Sequence, residues 1–226
     1  MSTLGLDEAF ALTRTGDLWL FRGRTVADRA IQTVTNAPVN HVGMAVVLDD
    51  LPPLIWHAEL GKTLQDVWTG DHHRGVQLHD LGEAVRRWRD VYGQDAWLRQ
   101  LQPEVGQVEE DALMQTIARL DGVSFPSTVR LARRWFGGRD SYRSRRRRRQ
   151  DRVRPEAAFC AETVAETLQE MGIVRDDRKA NWFDPGTFWS GDFLPMEDGW
   201  SYGPEISVGG RSPVQDPPSG RRRWRS

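Results

Sequence analysis

The stretch Ala158-Phe159-Cys160-Ala161-Glu162-Thr163 constrains this chain most, because it holds the only cysteine among 226 residues. Beyond it, Ala161, Val164, Ala165, Leu168 and Met171 recur at three- and four-residue spacing, which predicts a helix with one apolar stripe, stopped at Gly172. A helix of this kind must bury its stripe on another layer, and Cys160 would fall in its first turn. There the backbone N–H groups without intrahelical acceptors and the positive dipole end stabilise a thiolate, the nucleophilic form. The same cysteine also reads as a small buried hydrophobe, a common fate for that residue type.

Strands are the natural partner for that stripe. Gly16-Asp17 is a turn followed by the apolar run Leu18-Trp19-Leu20-Phe21. Residues 40–48 are rich in β-formers and predict a central strand opening on His41; a second follows at Leu54 to Glu59. Gly75 to His79 alternates apolar and polar, which predicts a half-buried strand, and Asp80 with Glu83 caps a short helix behind it. Asp95 to Leu101 reads as another strand ended by Pro103. Helices are predicted over 25–35, over 109–120 with Leu113, Ile117 and Leu120 as its stripe, and over 126–136; Pro185 to Trp189 is a turn and short helix.

Composition limits the partners. Charged residues are 28% and hydrophobic residues 38%, as in a soluble domain with exposed segments attached. No apolar run approaches the roughly 18 residues needed to span a bilayer. The first twenty residues lack the pattern of a secretion signal, and a single cysteine suits a reducing compartment, so a cytoplasmic location is expected. The net charge of −1 is uneven: between Arg130 and Arg154 twelve arginines face only Asp140 and Asp151. An exposed arginine-rich loop is expected over 138–155, and a disordered Pro/Gly/Arg tail over 206–226. Nothing in the sequence accounts for the near absence of lysine, which occurs only at Lys62 and Lys179.

A cysteine nucleophile needs a base, and usually a third polar group to orient that base. His41 opens one strand and Glu59 closes its neighbour, so both are expected near one end of a sheet, within reach of the Cys160 helix. His72 and His73 lie in a polar loop and are expected to face solvent; His57 either packs or faces water. Zinc held by Cys160 and the histidines is disfavoured, since their spacing matches no recurring metal pattern, and no cofactor or metal is expected.

Six segments taken together, Gly16 to Phe21, Asn40-His41-Val42-Gly43-Met44, Trp56-His57-Ala58-Glu59, Gly75-Val76, Phe159 to Val164 and Asp184-Pro185-Gly186, resemble the circularly permuted papain-like hydrolases of the YiiX/YaeF type in the NlpC-like superfamily. The resemblance implies an α+β fold over residues 1–205, with an antiparallel sheet packed against the Cys160 helix. It implies Cys160 as nucleophile, His41 as general base and acid, Glu59 as the group orienting the imidazole, and Cys160, Asn40 and Phe159 on the oxyanion and substrate side. Two departures stand out: Glu59 follows an alanine where the family places alanine after the acid, and Phe125 stands where relatives carry a tyrosine.

The expected activity is hydrolysis of an amide or ester, in a peptide, a muropeptide or a lipid-linked acyl group, through an acyl-enzyme. An LRAT-like acyltransferase is the related alternative, with Trp19, Trp56, Trp68 and Phe159 as a candidate acyl groove. A non-catalytic alternative uses Arg145, Arg146, Arg147, Arg148 and Arg149 to hold nucleic acid or anionic lipid through salt-sensitive contacts. The oligomeric state is not legible.

Overall fold

The computed structural model describes residues 3–23, 38–59, 63–123 and 155–209, with the backbone alone over 155–158. The helices predicted over 25–35 and 126–136 and most of the arginine-rich loop, with Arg145 to Arg149, lie outside the described residues. The described chain is α+β. Its strands are β1 (Thr3–Leu4), β2 (Leu18–Arg22), β3 (His41–Val46), β4 (Leu54–Glu59), β5 (Gly75–Asp80), β6 (Asp95–Arg99), β7 (Leu101–Gln102), β8 (Ser201–Tyr202) and β9 (Ile206–Val208). Four helices accompany them: α1 (Leu6–Leu12), α2 (Leu81–Arg86), α3 (Gln107–Leu120) and α4 (Pro155–Glu170). Seven strands form one sheet in the order β1-β9-β6-β2-β3-β4-β5, antiparallel except at β1–β9, while β7 and β8 pair separately.

Alternation along the strands builds two cores, because successive side chains leave a strand on opposite faces. On the first face Leu18, Leu20, Val42, Met44, Trp56, Ala58, Val76 and Leu78 share a cluster with Phe159, Cys160, Ala161, Val164, Ala165 and Leu168 of α4. On the second face Trp19, Phe21, Ala45, Ile55 and Leu98 pack with Ala9 of α1, Leu81, Ala84 and Val85 of α2, and Trp88. The strand over 75–79, expected to be half-buried, is buried on both faces for this reason. The proposed acyl groove does not form: Trp19 and Trp56 point to opposite faces, Trp68 is exposed, and Trp56 Nε1 donates to Thr167 Oγ1 of α4 at 3.0 Å.

The Gly16-Asp17 turn has a structural task. Gly16 has φ of 89°, open to a residue without Cβ, and Asp17 accepts from Arg14 N at 2.9 Å and from Leu101 N at 2.8 Å, joining the β2 entry to β7. Gly43 is required by close approach instead: a Cβ there would stand 2.6 Å from Ile55 Cδ1 and 3.3 Å from His57 Cβ. Gly43→Val is therefore expected to cost about 1–3 kcal/mol as an overpacked core, read as a lower urea midpoint at unchanged slope.

Two sequence expectations need correction. The folded unit does not end at residue 205, because Ile206–Val208 pairs with β6 and β1 and buries Val208; three residues are too few to show periodicity among the glycines and prolines around them. And α4 begins at Pro155, so Cys160 is its sixth residue, beyond the four N–H groups that lack intrahelical acceptors. Arginines rather than apolar residues precede Pro155, so the apolar stripe marks this helix only from its second turn onward.

Candidate active site

The polar residues of the second face converge under Trp88. The β3–β4 register pairs Met44 with Trp56. On the other side of β4, His57 pairs with Gln77 and Glu59 with Gly75. Alternation then sends His41, His57, Glu59, Gln77 and His79 to the face away from α4. They are linked: His41 Nε2 lies 3.2 Å from His57 Nδ1, His57 Nε2 lies 2.9 Å from His79 Nδ1, and His79 Nε2 lies 3.1 Å from Gln77 Oε1. Glu59 Oε2 stands 3.9 Å from His79 Nδ1, and Glu59 Oε1 accepts from Trp88 Nε1 at 3.4 Å.

Trp88 closes the cluster from a π-helical turn, Arg87–Val91, that extends α2. Its ring stands edge-on at 4.6 Å from Phe21, 5.0 Å from His41 and 4.9 Å from His57.

Gln77 fixes the direction of this relay. Its Nε2 donates to the carbonyls of Glu59 and Gly75, both at 3.4 Å, so Oε1 is the atom facing His79 and must accept. His79 therefore carries its proton on Nε2, His57 does likewise to serve His79 Nδ1, and His41 does likewise to serve His57 Nδ1. Proton positions here follow from donor and acceptor count. The result is three neutral rings with one lone pair left outside the relay, on His41 Nδ1. Burial supports neutrality: it lowers His41 and His79 to about 4, and it lowers His57 well below the ordinary value together with the charges of His79 and His41.

The structure brings His41 and Glu59 together through His57 and His79, two residues the sequence reading left out. Their signal was available: His57 and Glu59, like Gln77 and His79, stand two apart on neighbouring strands. Cys160 is elsewhere. It is fully buried in the α4 layer, on the opposite face, and the hydrogen bond of the His41 ring goes to His57 rather than to the thiol. Its amide lies inside the helix, which removes the free helix-end geometry expected of an oxyanion donor. Phe159 is core, and Asn40 Oδ1 accepts from Gly23 N at 2.7 Å, tying the start of β3 to the end of β2.

Outside this cluster, His72 is exposed as expected, but His73 is partly buried with Nε2 2.7 Å from Asp66 Oδ2. Asp66 also accepts from Trp68 N, Thr69 Oγ1 and Leu78 N, an arrangement that clamps the β4–β5 loop to β5. Burial pushes Asp66 up, but these bonds, His73's foremost, outweigh it and lower the carboxyl. Asp121 beside it is raised to about 7 by burial and by the Asp66 charge. Two groups of described residues bring metal-ligating atoms within 4.8 Å of one another: His57, Glu59 and His79, and Asp66, His73 and Asp121. A cavity of about 430 Å³ lined by Arg22, Arg89, Asp95 and Trp97 among others contains no member of the relay.

No family model matches the sequence, and no curated protein matches it. Among solved structures the chain is similar to the crystal structure of metalloprotein yiiX from Escherichia coli O157:H7, DUF1105, at 19% identity and a TM-score of 0.45. The match covers 70% of this chain and 66% of that one, so the chain spans slightly less than two thirds of that protein's length. No helix among the described residues is long and apolar enough to cross a membrane.

Proposed function

We propose that the chain is a hydrolase of amide or ester bonds in which His41 Nδ1 is the general base and Cys160, the only thiol, is the nucleophile. The observation that carries the reading is the oriented relay: it leaves a single imidazole lone pair, on a ring that is neutral at pH 7 and held by a hydrogen bond on its other nitrogen. Glu59 is a positioning residue here, acting through His79 and His57, and its carboxylate offsets the positive charge formed when His41 takes a proton. In the described conformation Cys160 packs on the other face of the sheet, so the thiol's part in the reaction is the portion of this reading that Cys160→Ser tests.

The test follows hydrolysis of p-nitrophenyl acetate and alkylation of the thiol by iodoacetamide in wild type, Cys160→Ser and His41→Ala, with circular dichroism to confirm folding. Both variants are expected to lose about 10²-fold or more of the hydrolysis, and His41→Ala to slow alkylation. Hydrolysis lost in His41→Ala but kept in Cys160→Ser would assign the attack to water. Activity unchanged in both would remove the proposal.

A further inference from the structure

We propose that His57 Nε2, His79 Nδ1 and Glu59 Oε2 form a site for one divalent transition cation of the zinc class, and that filling it switches off His41 as a base. The second part rests on the function proposed above; the first does not. Two imidazole nitrogens and one carboxylate oxygen, mutually within 4.8 Å, are a donor set suited to such a cation and poor for magnesium or calcium, which prefer oxygen. All three residues are buried, so their ligand atoms are held by packing, with His57 Nε2 2.9 Å and Glu59 Oε2 3.9 Å from His79 Nδ1.

The surroundings suit ligation as well. His79 Nε2–H already donates to Gln77 Oε1, which leaves Nδ1 to face the ion, and His57 Nδ1 faces His41. A ligating histidine is ordinarily oriented by a hydrogen bond on its other nitrogen, and both rings have one. His57 and His79 are almost fully enclosed, whereas Glu59 and His41 retain 6% and 8% exposure.

The switch follows from counting protons. In the cation-free relay His57 carries its proton on Nε2, the atom the cation needs. Ligation moves the His57 proton to Nδ1, which then donates to His41 Nε2. That nitrogen must become the acceptor, so His41 carries its proton on Nδ1. Three rings hold three protons before and after: one leaves His57 Nε2 and one arrives at His41 Nδ1. The atom that was the relay's lone pair becomes an N–H, and the base is lost without any change in ring charge.

The experiment titrates the full chain, freed of metal by chelation, with Zn²⁺ and with Co²⁺. Stoichiometry is read by calorimetry, coordination by the cobalt visible spectrum, and the His41 tautomer by long-range ¹⁵N–¹H NMR. Glu59→Gln and His79→Gln serve as paired variants, since glutamine at 79 keeps an acceptor for His57 Nε2–H and so preserves the fold. Expected are one ion per chain, at least about 100-fold weaker binding in each variant, and a His41 proton that moves from Nε2 to Nδ1 on loading. Absence of binding, or binding that both variants leave intact, overturns the site; binding without the tautomer change overturns the switch. Binding with the tautomer change in a chain that hydrolyses nothing in either state upholds this site and removes the hydrolase reading alone.

Discussion

His79→Gln is expected to flatten the acid side of the stability profile, gaining on wild type by on the order of 3 kcal/mol as pH falls from 6.5 to 4. In the folded wild type burial holds His79 neutral down to about 4, whereas in the unfolded chain it protonates near 6.5. Across that window the unfolded state binds more protons, so wild-type stability falls with acid, and below about 4 the loss is complete. A glutamine has no such proton to bind. Asp17, raised to about 6 by burial, acts in the opposite direction between pH 4 and 6, but it is present in both proteins and cancels from the difference. Urea unfolding at pH 7, 6, 5 and 4 measures the gap; parallel profiles would show that His79 is not buried neutral. His41, lowered to about 4 by the same burial, predicts an effect of the same sign for His41→Gln.

Arg99→Ala is expected to cost about 3–5 kcal/mol, the range for removing one partner of a buried ion pair. The guanidinium is buried at the end of β6. Its Nε donates to Gly203 O at 2.7 Å, its Nη1 donates to Phe188 O at 2.7 Å, and Nε stands 3.7 Å from Glu205 Oε1. Glu205 in turn accepts from Ser190 N and Ser190 Oγ, so one side chain ties the Pro185–Phe188 turn to the segment between β8 and β9. Truncation would leave two carbonyls without donors and a buried carboxylate without its cation. Hydrogen exchange is expected to accelerate first at β9. In the double variant Arg99→Met with Glu205→Gln, part of the loss should return, because the uncompensated charge is gone. A cost below 1 kcal/mol for Arg99→Ala would mean that the arm is held by strand pairing alone.

The elements whose signals are local were legible. The strand over Leu54 to Glu59 has the predicted bounds, Asp80 accepts from Glu83 N as its cap spacing implied, and α3 stops at Asp121-Gly122 with Gly122 at φ of 72°. Elements that depend on a distant partner were not. β9 exists because β1 and β6 flank it, and the second face of 75–79 is buried where Gln77 and His79 bond to Glu59 and His57 of β4. The candidate site divides the same way. His41 stands out from its place at a strand start, whereas only the family resemblance sets Glu59 apart from Asp66 and Asp71; the structure links the two through His57 and His79.

By itself the sequence determined the α+β class, the strand that begins on His41, the strand that ends on Glu59, and the apolar stripe that holds Cys160 against a sheet. Only the tertiary structure decided which face each side chain took. A period of two fixes that neighbours along a strand diverge, but which face receives α4 and which receives Trp88 depends on the packing of whole layers. That choice joins His41 to His57 and His79 in a directed relay and places Cys160 behind the sheet.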